Sequence, residues 1–206
     1  MVHERRLDET QGGQPAKIDI TTNRQARKWS PRELLGRALW EALRGPLFAW
    51  TPRPMWGWRR GVLRLFGAQI GRDVHVFPTV RIAVPWNVTI ADQSAVGDRA
   101  VLYSLGSIRI GAGTTISQHA HLCAGSHDHR RPDLPLLKLS IEIGDGAWVC
   151  ADAFVGPGVR VGALAVVGAR AVAVRDVPAE TVVVGNPARV VGPRRLEVEA
   201  DGRTAL

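Results

Sequence analysis

The sequence predicts a mainly β protein, a parallel β-helix of six-residue blocks preceded by helices. Three observations carry this. An aliphatic residue opens successive blocks at Ile70, Val76, Ile82, Ile90, Val96, Leu102, Ile110, Ile116, Leu122, Ile143, Val149, Val155, Val161 and Val167. A small residue recurs four places later, as at Thr114, Ala120 and Ser126. Ahead of the repeat, Ser30-Pro31-Arg32-Glu33 opens a stretch whose apolar residues follow helical spacing. A fixed short period marks a solenoid, whose repeats bury a continuous core only by stacking on one another.

Residues 1–28 are polar and lack periodicity, the composition of an arm that is at least partly mobile. Residues 29–69 form a helical cap. Ser30 supplies its N-cap, Pro31 the first helical position and Glu33 the reciprocal partner of a capping box. Leu34/Leu35, Ala38/Leu39 and Ala42/Leu43 then lay one apolar stripe, and Gly45-Pro46 stops the helix. A second helix is expected over about 56–66, where Trp56, Trp58, Val62, Leu63, Leu65 and Phe66 are mixed with Arg59, Arg60 and Arg64. Helices here close the open end of the solenoid. An outer face rich in Trp and Arg also suits peripheral contact with a membrane surface.

Residues 70–191 carry the repeat. Three blocks make one coil of three short strands, so the section is triangular. Coils start at Ile70, Ile90, Ile110, Ile143 and Val161, with intervals of 20, 20, 33 and 18. Two extra residues recur before a coil start, at Val88-Thr89, Ile108-Arg109 and Ile141-Glu142. The long interval exceeds the 20-residue intervals before it by 13 residues, so a loop of that size, roughly Asp128 to Ser140, leaves the repeat directly after His127. A long excursion beside a proton acceptor reads as functional. Each inward aliphatic residue contributes about 1.5–3 kcal/mol on full burial, and the small residue at the fifth place is expected to let the chain turn the corner. Periodicity leaves the hand of the helix open. Gly185-Asn186-Pro187-Ala188 ends the pattern, and residues 192–206 form a polar tail.

Composition narrows the function classes. The net charge of +8 is spread along the chain without a recognisable nucleic-acid module, so no nucleic acid is expected; phosphates of a cofactor or of lipid headgroups account for the charge. No apolar stretch reaches the 18 or so residues of a membrane span, and Met1–Thr22 lacks an apolar signal core, so the expected compartment is the cytoplasm. Cys123 and Cys150 lie on different coils without a CxxC pair, as small buried residues rather than a disulfide or metal framework. His119, His121, His127 and His129 crowd into 11 residues. Alternate spacing on a strand could place two of them as metal ligands.

The blocks, the Ser126-His127 ending with its excursion, Ile143-Gly144-Asp145-Gly146-Ala147-Trp148, Gly156-Pro157-Gly158-Val159 and Val184-Gly185-Asn186-Pro187-Ala188-Arg189 together resemble the hexapeptide-repeat O-acetyltransferases, which include maltose and galactoside acetyltransferases. Leu65-Phe66-Gly67-Ala68-Gln69-Ile70-Gly71, Ile116-Ser117-Gln118 and Gly125-Ser126-His127-Asp128 follow the wording of the colanic acid biosynthesis acetyltransferases. The likeness spans about residues 29–189.

That resemblance implies a left-handed parallel β-helix, a homotrimer with active sites at subunit interfaces, acetyl-CoA as donor and a sugar hydroxyl as acceptor. His127 holds the family's base position. The chemistry agrees, because a hydroxyl attacks a thioester at neutral pH only if a neutral imidazole takes its proton. On the donor side, Ala151 and Ala169 match positions whose backbone meets the pantetheine arm, Trp148 the aromatic beside the donor channel, and Arg175 and Arg189 basic residues near the phosphates. Tyr103, Ser104, His119 and Asp128 are assigned to the acceptor. Tyr103-Ser104 stands where sugar acetyltransferases often carry Asn, and Val174 where the family has Thr. No metal is expected, since the gamma-class carbonic anhydrase spacing, a distant His and then two His four residues apart, is not found. A zinc lyase of that kind and a noncatalytic β-helix scaffold are the alternatives.

Overall fold

A computed structural model describes residues 17–197. Its short strands stack into three walls of a prism. The first wall holds Gln69–Ile70, Val88–Ile90, Ile108–Ile110, Ile141–Ile143 and Arg160–Val161. The second holds His75–Val76, Ala95–Val96, Thr115–Ile116, Trp148–Val149, Val166–Val167 and Thr181–Val184, and the third Arg81–Ile82, Val101–Tyr103, His121–Cys123, Phe154–Val155 and Val172–Ala173. Every pairing within these walls is parallel until Arg189–Pro193 folds back antiparallel on Thr181–Val184. Ile70 lies opposite Ile90, Ile90 opposite Ile110, Ile110 opposite Ile143, and Ile143 opposite Val161. The intervals of 20, 20, 33 and 18 are therefore the lengths of successive coils of a parallel β-helix.

The core is a column of aliphatic rungs, Ile90, Ile110 and Ile143 on one wall, Val96, Ile116 and Val149 on the next, Leu102, Leu122 and Val155 on the third, all buried. The fifth-place residues correct the expectation that they turn the corner. Thr114, Ala120, Ala147 and Ala153 are themselves buried, pointing inward two residues before the next aliphatic. They are small because the prism is narrow there. The turn is made one place earlier, where Asp73, Gln93, Arg99, His119, Asp152, Leu164 and Arg170 adopt φ values of 51–59°. A left-handed conformation costs a residue with a Cβ about 1–2 kcal/mol; here the amides of Gln93, His119, Asp152, Leu164 and Arg170 each find a carbonyl one coil below, as in Gln93 N–H to Arg72 O at 2.9 Å and His119 N–H to Asp98 O at 2.9 Å, and Arg99 N–H donates to Thr79 Oγ1 at 2.8 Å.

Amides of each coil donate to carbonyls of the next, for example Gly71 to Ile90 and His75 to Ser94. The first coil's own carbonyls consequently have no coil beneath them. Helix α3 (Trp56–Leu65), the third of the three N-terminal helices, fills that gap. Buried Arg59 donates from Nε to Val76 O at 2.6 Å, Arg60 to Val74 O at 3.2 Å, and Arg64 to Ile70 O at 2.7 Å and Gly71 O at 2.9 Å. Trp56 stacks on His75 at 4.6 Å, and Trp58 donates its indole N–H to Leu47 O at 2.7 Å. These arginines and Trp56 face the prism, while Trp58 and Leu65 of the same helix are exposed.

The helix before it, α2 (Pro31–Arg44), has the predicted capping box at Ser30 and Glu33. It runs on through a π turn over Gly45–Ala49. Its inner side is narrow. Trp40 is buried, donates to Ile82 O at 2.7 Å and meets Phe66 edge-on at 5.0 Å, while Trp86 covers Gly36. The leucine stripe faces the other way and is exposed. The first helix, α1 (Ile20–Gln25), lies in the arm read as aperiodic and at least partly mobile; its described residues dock on the hairpin, with Asp19 N–H on Pro132 O at 2.8 Å. Residues 1–16 and 198–206, and the expectations that fall on them, lie outside the described residues. Arg194, in the expected polar tail, reaches back to Gly146 O at 2.7 Å. Cys123 and Cys150 are half-buried free thiols.

Candidate functional site

After His121–Cys123 the repeat breaks. Gly125 sits so close to Leu105 and Tyr103 that a Cβ would come within 3.0–3.2 Å of their side chains. From there Gly125–His127 leaves the prism and pairs antiparallel with Leu136–Lys138, His127 opposite Leu136. The excursion is thus a hairpin that begins before Asp128. Its tip is closed locally. Asp128 accepts from the backbone N–H and Nε of Arg130, both at 3.1 Å, which holds its carboxyl below the usual range, and Arg131 forks onto Asp133.

His127 is exposed, and its Nδ1 lies 2.6 Å from Leu134 O. A carbonyl can only accept, so Nδ1 carries a proton, and in the neutral ring Nε2 therefore keeps its lone pair. That is the tautomer a general base requires. Leu134 has φ of 43°, and its carbonyl also accepts from Asn23 Nδ2 of α1, which reaches Asp133 O at 2.8 Å as well. Lys28 Nζ in turn donates to Asn23 Oδ1 at 2.7 Å. Asn23 and Leu134 are residues of the candidate site that sequence reasoning missed. No periodic signal marks either.

Tyr103, exposed on the third wall, lies opposite Cys123 one coil earlier and borders Gly125, at the root of the His127 strand. Ser104 is a correction. It is fully buried, and its hydroxyl both accepts from Val84 N–H and donates to Val84 O, each at 2.9 Å. No surface of it is left for an acceptor. His121 is half-buried between Tyr103 and Phe154, with ring centroids 6.4 and 5.4 Å away, and desolvation pushes its pKa below the ordinary value; its Nε2 has no partner. Among the described residues no three His, Cys, Asp or Glu side chains converge as a metal site.

A different edge gathers the donor residues. Between the second and third walls, Asp98, Gln118, Ala151 and Ala169 occupy the same place in successive coils, linked by corner bonds such as Asp152 N–H to Gln118 O and Arg170 N–H to Ala151 O. Trp148 is exposed beside this column and donates to Ser117 Oγ at 2.8 Å. Small side chains on two consecutive coils, Ala151 and Ala169, leave the backbone there accessible. Toward the first coil the edge continues as a groove of about 680 Å³ lined by Arg53, Phe77, Thr79, Ser117, Gln118 and His119. Arg175 and Arg189 line one cleft with Asp176 and Pro178, at the end of the third wall.

The structure therefore brings together His127, Tyr103 and Asp128 near one edge, and Trp148, Ala151, Ala169 and His119 along another. The third wall separates the two groups within one chain.

No protein-family model matches the chain. Over 161 residues it is 46% identical to the Escherichia coli K12 protein named "Putative colanic acid biosynthesis acetyltransferase WcaF", covering 78% of this chain and 88% of that one. Its fold matches the hexapeptide-repeat acetyltransferase VCA0836 of Vibrio cholerae O1 biovar eltor, solved with acetyl coenzyme A, with TM-score 0.73 and 23% identity over 82% and 92% of the two chains. It also matches a galactoside acetyltransferase in complex with coenzyme A, with TM-score 0.74 and 20% identity over 87% and 92%.

Proposed function

Because this chain belongs to the hexapeptide-repeat acetyltransferases, we propose that it is an O-acetyltransferase that moves an acetyl group from acetyl-CoA to a hydroxyl of a sugar or glycosylated acceptor, with His127 as general base. The observation that carries the proposal is the 2.6 Å bond from His127 Nδ1 to Leu134 O, which leaves Nε2 free to take a proton.

Acetyl-CoA supplies the acyl group as a thioester. His127 Nε2 removes the acceptor's hydroxyl proton as that oxygen bonds to the acyl carbon, and returns it to the sulfur when the carbon–sulfur bond breaks. Leu134 O stabilises the imidazolium between these events. Trp148, Ala151 and Ala169 hold the pantetheine arm, and Arg175 and Arg189 meet the phosphates. Tyr103 and Asp128 stand on the acceptor side, with His119 reaching the same space from a neighbouring subunit. The assembly proposed is a homotrimer, and its compartment the cytoplasm.

The test is direct. With acetyl-CoA and a panel of saccharides, mass spectrometry should detect an acetyl ester. His127→Ala should lose about 10²–10⁴ in turnover while binding acetyl-CoA as well as the wild type does. Near-wild-type turnover in that variant would remove His127 from the mechanism.

A further inference from the structure

The exposed side of α2 is not the surface of an ordinary solvated helix. Leu35, Ala38, Leu39 and Ala42 follow the i, i+3, i+4, i+7 spacing of one face, with Leu34 and Leu43 at its borders. All six are exposed, Leu35 at 63%, and no charged residue interrupts the stripe. At the end of the π turn Trp50 leans on Gly45 and is 79% exposed. The prism takes only the opposite side, through Gly36 and Trp40.

Charge identifies the occupant. Residues 17–66 contain eleven Lys and Arg against three Asp and Glu; with Arg59, Arg60 and Arg64 turned onto the first coil's carbonyls, eight basic residues against three acidic ones remain, a surplus of five. Arg32, on α2 itself, and Arg24 and Arg27, in the segment that leads into it, have no acidic partner within ion-pair distance among the described residues. Among the described residues no helix is long and apolar enough to cross a membrane. We propose that α2 is an interfacial helix, which beds its leucine face and Trp50 in the surface of an anionic bilayer while the surrounding basic residues meet the headgroups. A second copy of this chain is the poorer occupant, because it would oppose one basic surface to another. The inference does not rest on acetyl transfer.

Sedimentation with vesicles tests it. The full chain should bind vesicles of phosphatidylglycerol mixed with phosphatidylcholine, bind pure phosphatidylcholine far less, and release as salt rises. Leu35→Glu/Leu39→Glu should weaken partition by about tenfold or more for each leucine withdrawn, with the thermal melt and the mass by light scattering unchanged. Arg24→Ser/Arg27→Ser/Arg32→Ser, which leaves the leucines in place, should lose the preference for anionic vesicles. Brominated lipids should quench the wild type more than Trp50→Phe. If the wild type ignores anionic vesicles, or if Leu35→Glu/Leu39→Glu dissociates the oligomer, the face is not a lipid surface and the proposal falls.

Discussion

A histidine on an exposed hairpin is a weak base unless something fixes its tautomer, and here that task falls to a single carbonyl, Leu134 O. The carbonyl is itself held by Asn23 Nδ2, from a helix more than a hundred residues away in sequence. Asn23→Ala should therefore leave Leu134 freer to turn and His127 Nδ1 without a constant partner. One hydrogen bond is worth about 1 kcal/mol, so kcat should fall by up to about tenfold with the KM for acetyl-CoA unchanged. Nitrogen NMR of His127 should show mixing of tautomers in the variant, which a general loss of stability would not produce. On the donor side, Arg175 and Arg189 share one cleft and are exposed. Replacing both by Ala should raise the KM for acetyl-CoA on the order of tenfold and weaken its salt dependence; an unchanged donor constant would move the phosphates elsewhere.

At the scale of elements, the third wall holds a polar liability. His121 is half-buried between Tyr103 and Phe154, where desolvation disfavours its charged form. A histidine whose folded pKa lies below the unfolded value near 6.5 binds fewer protons folded than unfolded in the interval between the two. Stability thus falls as pH drops below about 6.5, and the loss is complete once pH passes the folded pKa. His121→Phe keeps an aromatic ring in the stack and removes the proton, so its melting temperature should decline less than the wild type's between neutral pH and about pH 5. Equal declines would show that other groups set the acid sensitivity.

Strand register was legible because the inward aliphatics of a narrow prism must repeat with the block, and Ile110 opposite Ile143 needs only the excursion removed. The corners were not. Arg99, His119 and Leu164 turn the chain with no shared side-chain chemistry, since their left-handed backbone is imposed by the stacking of coils. The leucine stripe of α2 was equally plain in sequence, but spacing shows that a helix has an apolar face and not what covers it. For the site, His127 was readable from the end of the repeat. Its partners were not, because Asn23 lies in an aperiodic arm and Leu134 acts through its backbone.

The whole molecule raises the question of where a complete site is built. His127 leaves the edge between the third and first walls, whereas Trp148, Ala151 and Ala169 mark the edge between the second and third. The two sets lie one to two coils apart along the axis, since His127 closes the coil that contains Ile116, Val149 pairs directly with Ile116 in the coil above, and Ala169 follows one coil higher. A threefold assembly with parallel prisms would set one edge of each subunit against the other edge of the next and form three equal sites, a ring that closes. Light scattering should then report three times the 22.4 kDa chain mass, and a monomer mass would end the argument. A sharper test uses two inactive parents. His127→Ala keeps the donor edge, and Ala169→Trp blocks it while keeping the base. Each alone should be inactive, yet random co-assembly in equal amounts should restore about a quarter of the sites, those where a wild-type His127 meets a neighbour's open edge. If mixing restores nothing although mixed trimers form, base and donor edge belong to one chain and the prism must bring them together some other way.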